Sequence, residues 1–294
     1  MRSLVFAMPG NEKLATSIAK GITADLGEFT LHQFPDGESY VRVLSEVKDL
    51  DIFVVCTLNN PNEKILPLLF LCKVLRDLNA KSICLVVPYL SYMRQDIRFK
   101  SGEAVTSEYF GPLLSSFLDR LITIDPHLHR RVSMNEIYSI PCNVLHAADS
   151  IASWIKQNVP NALLVGPDIE SEQWVSKVAK QANADFIVLE KIRHGDKDVE
   201  VSVPNVTSYK NHTPILVDDI ISTAHTMIET VKHLQKAGMK APICIGVHAV
   251  FAGNAYKDLL AAGVKEIITC NTIEHQSNKI EISELIINAL NTKH

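Results

Sequence analysis

The stretch ILVDDIISTAHT, residues 215–226, changes character twice along its length. Ile215–Val217 is an apolar, β-branched run of the kind that forms a buried strand. It ends in two adjacent carboxylates, Asp218 and Asp219. Ser222, Thr223 and Thr226 follow, and the pattern beyond them predicts a helix over 226–237. A buried strand delivered into a helix start is the building block of a parallel sheet, and ligands bind at the carboxyl ends of such strands. The helix start offers unbonded backbone N–H groups and the positive end of a dipole, which suit a phosphate. Two carboxylates would repel that phosphate unless they face another part of the ligand. Vicinal sugar hydroxyls fit, because each can donate to a carboxylate. The segment is therefore a candidate grip for a phosphorylated sugar; an acidic turn with a Ser/Thr helix cap is the plainer alternative.

Working outward, the same alternation runs through the chain. Strands are predicted at Leu4–Ala7, Phe29–Gln33, Tyr40–Leu44, Ile52–Cys56 and Ser82–Val87, with helices over 12–26 and 64–78. The second half repeats the rhythm. Strands fall at 162–165, 186–190, 199–203, 215–217, 243–247 and 266–269, and helices at 172–181, 226–237 and 255–262. The expectation is α/β: two tandem domains, each a mostly parallel sheet flanked by helices. The boundary is expected near Pro141–Ala148. This gives domains 1–145 and 146–281, then a helix over 282–294 that packs back on the first domain.

The 294 residues carry a net charge of −4, so no global basic field points to nucleic acid or an anionic membrane. No run is long and apolar enough to span a membrane. The six cysteines show no CxxC spacing and sit in apolar stretches, as buried thiols of a reducing compartment do. The expected setting is cytoplasmic, with no nucleic acid and no membrane as partner.

Further segments bear polar chemistry at strand ends. PYLSYMRQD (88–96) places Arg94, Gln95 and Asp96 after two tyrosines, and arginine matches phosphate oxygens bidentately. A solvated basic loop is the alternative. FPDGE (34–38), with Phe34, Asp36 and Glu38, is turn chemistry and reads first as a hairpin tip. IDPHLH (124–129) puts His127 and His129 beyond a strand, able to meet a metal or a phosphate. GPDIE (166–170) ends another strand in Asp168. Lys191 and Arg193 open the polar loop of 188–201; alternation on an extended backbone points them the same way, so they can grip one anion. Taken jointly, these groups suit phosphoryl-type transfer, which depends mainly on positioning and charge neutralisation.

In order and over nearly the whole chain, these motifs resemble ribose-phosphate pyrophosphokinase. FPDGE is similar to the family's F-x-D-G-E loop, PYLSYMRQD to P-Y-x-x-Y-x-R-Q-D, and IDPHLH to its D-L-H segment. GPDIE is similar to S-P-D-x-G, KIR (191–193) to the K-x-R of the catalytic loop, VDDIISTAHT to V-D-D-I-x-D-T-x-G-T, and TCNTI (269–273) to T-N-T-I. The resemblance implies two phosphoribosyltransferase-like domains. It implies transfer of the diphosphoryl group of ATP to the anomeric hydroxyl of ribose 5-phosphate, with AMP leaving, for nucleotide biosynthesis. By resemblance, Lys191 and Arg193 are catalytic. Arg94, Gln95 and Asp96 bind ATP, with Phe34, Asp36 and Glu38 supplied by a neighbouring subunit. Asp218, Asp219, Ser222, Thr223, Ala224, His225 and Thr226 bind ribose 5-phosphate, and His127 and Asp168 support Mg²⁺. A homo-oligomer is implied, at least a dimer and up to a hexamer.

Three places depart from the family pattern. His225 stands where a glycine usually precedes the last threonine; glycine there permits a positive φ or a close backbone approach, and a histidine can adopt the left-handed region more readily than a β-branched residue or can itself meet the phosphate. Asp168 is followed by Ile169-Glu170-Ser171 in place of a glycine pair. The stretch after Gln95 also differs from that of the phosphate-activated members. Two other classes compete with a synthetase. A non-catalytic regulatory relative would be expected to lose Lys191-x-Arg193. A phosphoribosyltransferase would need only one such domain and would leave FPDGE and RQD without a role.

Overall fold

The computed structural model describes residues 2–128, 130–166, 171–194, 198–202 and 207–292. The chain divides into two compact units, Met1–Leu145 with Ser283–His294, and His146–Ile282.

In the first unit β1 (Ser3–Ala7), α1 (Glu12–Gly21) and β2 (Asp25–Leu26) precede an antiparallel hairpin of β3 (Phe29–Gln33) and β4 (Ser39–Val43). Then come β5 (Asp51–Val55), α2 (Pro61–Asp77), β6 (Ser82–Val87), α3 (Thr106–Ser115), β7 (Arg120–Ile124) and β8 (Cys142–Leu145). The second unit runs α4 (Ala148–Asn158), β9 (Ala162–Gly166), α5 (Glu172–Ala182) and β10 (Asp185–Val188). A second antiparallel hairpin follows, β11 (Glu190–His194) and β12 (Asp198–Ser202). It continues with β13 (Thr213–Ile221), α6 (His225–Lys236), β14 (Ile243–Ala249), α7 (Ala255–Ala261), β15 (Glu266–Cys270) and β16 (Asn278–Ile280). Finally α8 (Ser283–Asn291) joins the first unit, where it lies against α1.

The two sheets repeat one another. The first has the order β2-β1-β5-β6-β7-β8 and the second β10-β9-β13-β14-β15-β16, parallel throughout. In each, the hairpin is inserted between the second and third parallel strands. Such strands are buried on both faces, so they read as continuous apolar runs; all of β9 and all of β14 are buried. Phe6, Leu71 and Leu85 are among the fully buried side chains of the first core, and Leu163, Leu216 and Val231 among those of the second.

In this order the first strand connects to a neighbour on one side and, past the hairpin, to a neighbour on the other. Where the direction reverses, a crevice opens beyond the carboxyl ends of the two central strands. In the second unit those strands are β9 and β13, so the segment quoted at the outset runs off a switch point.

Several elements differ from the sequence expectation. β13 runs on through both aspartates, because β14 continues to pair with it as far as Ile221 opposite Ala249. α1 stops at Gly21, where a Cβ would fall 2.4 Å from the Ile287 side chain of α8. Helix α3 is not anticipated by the sequence reading, since it contains Gly111-Pro112. The glycine is needed there: a Cβ would sit 2.4 Å from the Ile137 carbonyl oxygen.

Candidate functional site

At the end of β13, Asp218 and Asp219 are both half-buried, and Asp218 Oδ1 accepts the Asp219 backbone N–H at 2.9 Å. Ser222 and Thr226 are partly buried, and Thr223 and His225 are exposed. The turn into α6 is made by Ala224, at φ 59° and ψ 8°, whereas His225 is the first helical residue. Of the conformations open to His225, the left-handed one is therefore not the one it takes. The demand falls one residue earlier, on an alanine buried in the core. The loop is braced from the next strand: the N–H groups of Phe251 and Ala252 donate to the carbonyls of Ile221 (2.9 Å) and Ser222 (3.1 Å). The start of α6 can therefore present its unpaired N–H groups to an anion while the aspartates face hydroxyls.

The equivalent loop of the first unit carries no such pair of carboxylates. After β5 the chain reads Thr57-Leu58-Asn59-Asn60, and Lys64 Nζ donates to Thr57 O (2.8 Å) and Asn59 Oδ1 (2.5 Å). Asn11 Oδ1 accepts the Thr57 N–H. Burial holds the Lys64 pKa below its ordinary value. The duplicated fold thus keeps the paired carboxylates in one copy only.

The first unit carries Arg94, Gln95, Asp96, His127 and the Phe34–Glu38 tip. Beyond β6, Arg94 and Gln95 are exposed, but Asp96 is buried and its Oδ1 accepts from Arg130 Nη1 at 3.0 Å. Asp96 is thus turned into the protein and ion-paired. Beyond β7, Asp125 and His127 take φ values of 37° and 55°, and the His127 N–H donates to the Asp125 carbonyl at 2.9 Å. Two left-handed non-glycine residues so close together are backbone strain of the kind that gathers at functional sites. At the β3–β4 tip, Phe34 N–H donates to Glu38 O at 2.7 Å and Gly37 takes φ 95°. His32 stacks on Tyr40 (4.5 Å), Phe34 packs edge-on to both, and Phe34 remains 44% exposed. Asp36 and Glu38 are exposed beside it.

Lys191 and Arg193 lie on β11, opposite Val201 and Val199 of β12. Asp168 and His129 lie outside the described residues. Among the described residues, no group of three or more His, Cys, Asp or Glu side chains is arranged to hold a metal ion. Within the first unit His127 offers a single donor, and within the second Asp218 and Asp219 offer carboxylate oxygens; donors so few in either unit suit an ion that takes most of its ligands from phosphate oxygens and water.

Sequence reasoning missed two features. Arg130 is one; it follows two histidines that drew attention to themselves. The other is His248 at the end of β14, 1% exposed, with Nδ1 2.9 Å from Thr272 Oγ1. Thr272 commits its hydroxyl hydrogen to Val247 O at 2.7 Å, so the imidazole must be the donor and carries its proton on Nδ1.

Fold and site together define a two-unit protein of the phosphoribosyltransferase type. Residues 3–117 match the N-terminal domain of ribose phosphate pyrophosphokinase, and residues 133–284 match the phosphoribosyl transferase domain. The chain is 32% identical to the ribose-phosphate pyrophosphokinase of Sulfurisphaera tokodaii, over 92% of each chain. It is 30% identical to that of Methanobrevibacter smithii, over 98% of this chain and 99% of the relative. The crystal structure of phosphoribosylpyrophosphate synthetase from Mycobacterium smegmatis superposes with a TM-score of 0.85 at 25% identity, covering 99% and 98% of the two chains. The chain belongs to the ribose-phosphate pyrophosphokinase family, and its reaction is formation of phosphoribosyl pyrophosphate from ATP and ribose 5-phosphate. The family chemistry uses a divalent metal ion.

Proposed function

We propose that the second unit holds ribose 5-phosphate and the first holds ATP, each at the carboxyl end of its sheet. The observation that carries this reading is the β13–α6 junction: two carboxylates at a switch point, followed directly by the start of a helix. In this reading Asp218 and Asp219 accept hydrogen bonds from the ribose hydroxyls. Residues 222–226 take the 5-phosphate on their N–H and hydroxyl groups. Arg94 and Gln95 meet the nucleotide. Phe34, Asp36 and Glu38 frame the adenine of a neighbouring subunit, so the assembly is at least a dimer and up to a hexamer. The exposed aromatic hairpin tip supports that role, since a lone tip has no need of three packed rings.

Attack of the anomeric hydroxyl at the β-phosphorus builds negative charge on the bridging and leaving oxygens. A bound divalent cation, for which we propose Mg²⁺, supplies charge neutralisation at the phosphate oxygens. His127 and Asp168 would support it. Lys191 and Arg193 add two cations as the diphosphoryl group moves, and their hairpin serves as a lid that keeps water from the ATP. Six free cysteines, five of them buried, support a reducing, cytoplasmic setting. The test is an incubation of the full chain with ATP, Mg²⁺ and ribose 5-phosphate. AMP and diphosphorylated sugar should form together, and AMP should not form without the sugar. Absence of AMP with all components present would sink the assignment.

A further inference from the structure

We infer that Arg130 is a positioning residue for the nucleotide, holding the Arg94–Gln95 segment in place through Asp96. The inference rests on the reading above, in which Arg94 and Gln95 meet ATP. Asp96 lies beyond β6 and Arg130 beyond β7, so their bond ties together two loops at one end of the sheet. The carboxylate of Asp96 is 4% exposed, and a buried carboxylate left unpaired is strongly unfavourable. Arg130 is also fixed from a second side. Its guanidinium carbon lies 5.9 Å from the centre of the Phe99 ring, within cation–π range.

The neighbouring residue completes the fastening. Arg131, 14% exposed, bonds Glu108 at 3.1 Å, lies 3.6 Å from Glu136, and donates to Ser107 Oγ at 3.5 Å. Ser107 is fully buried, and its N–H and Oγ–H both donate to the Gln95 carbonyl, at 3.4 and 3.3 Å. Arg130 thus holds the side chain of Asp96 directly, and Arg131 braces the Gln95 backbone through Ser107, while the side chains of Arg94 and Gln95 stay exposed. An exposed Asp96 would repel a triphosphate; paired with Arg130 it is neutralised and acts as an anchor.

The test measures kcat and both KM values in the full chain, with ATP and ribose 5-phosphate varied separately. Arg130→Met should raise the KM for ATP by about tenfold or more, with the KM for ribose 5-phosphate within about twofold. Arg130→Lys should recover part of the loss. Arg130→Met with Asp96→Asn should be no worse than Arg130→Met alone, because the unpaired carboxylate is then gone. Arg76→Met, which breaks the exposed pair with Asp119, is the control and should leave both KM values unchanged. If the wild-type chain releases no AMP, the functional reading fails. If the wild type is active and Arg130→Met leaves the KM for ATP unchanged, the inference alone is overturned. It is also overturned if both KM values rise together with a lowered melting temperature that the double variant does not restore. Should Arg130→Met not fold, Arg130→Lys and the double variant carry the same comparison.

Discussion

His248 and Thr272 form a buried pair in which the threonine fixes the proton of the histidine. Thr272 Oγ1 gives its hydrogen to Val247 O and accepts from His248 Nδ1. The pair joins the ends of β14 and β15, next to the strand that carries Asp218 and Asp219. Thr272→Val keeps the shape but removes both bonds, leaving the ring N–H without this acceptor and the Val247 carbonyl without this donor. A loss of about 2–4 kcal/mol in unfolding free energy is expected, read by urea titration. Thr272→Ser should retain most of the stability. Equal stability of the valine and serine variants would show that the bonds contribute nothing.

Ala224 adopts the left-handed backbone that leads into α6. For an L-residue this costs about 1–2 kcal/mol. Ala224→Gly relieves that strain but deletes a buried methyl worth about 0.8 kcal/mol. Stability should therefore stay within about 1 kcal/mol of the wild type. Ala224→Val places a β-branched side chain where the backbone rejects it, and should both destabilise the chain and raise the KM for ribose 5-phosphate. His225→Gly should bring no gain, since His225 is already helical. An increase in melting temperature from His225→Gly would contradict this assignment.

The site's chemistry was more legible in the sequence than its geometry. Asp218-Asp219 after an apolar run was readable because burial and carboxylates seldom adjoin without a ligand or a partner. That Ala224 carries the left-handed backbone is not legible, because local sequence reports which residue departs from a pattern and not which φ the turn imposes. The resemblance implies that Asp96 meets ATP, and its bond to Arg130 is a separate feature that the sequence does not announce. Arg130 lies 34 residues further on, and no periodicity links the two. Helix α3 was hidden by Gly111-Pro112, whose poor helix propensity is overridden by close packing on the Ile137 carbonyl. The duplication showed as rhythm alone; it became definite when the two sheets proved to share one strand order.

We propose that Lys191 and Arg193 of β11 meet the developing charge of the transferring diphosphoryl group and not the sugar. Lys191→Ala and Arg193→Ala should each lower kcat by about a hundredfold or more, the scale on which loss of a transition-state donor is felt. Ribose 5-phosphate binding, followed by calorimetry, should change little. Because the two cations act on one group, the double variant should lose less than the product of the single effects. Unchanged turnover in both single variants would remove this hairpin from the mechanism.

His275 gives the fold a pH-dependent contribution. Its ring packs against Phe251 (4.6 Å) and Tyr256 (4.8 Å), and its Nδ1 accepts the Ser277 N–H at 3.2 Å. Burial lowers its pKa below the ordinary 6.5. The unfolded chain therefore binds a proton at His275 more readily than the folded chain does. The contribution is fully present above pH 6.5 and is lost as the pH falls below that value through the lowered folded pKa. In His275→Asn, whose side-chain oxygen can replace Nδ1 as acceptor, this dependence disappears. Urea midpoints measured at pH 7.5 and at pH 5 should fall further for the wild type than for the variant. The difference between the two proteins isolates His275, because every other residue is the same in both. Identical pH dependence in wild type and variant would mean that packing against the two rings does not disfavour the charged imidazole.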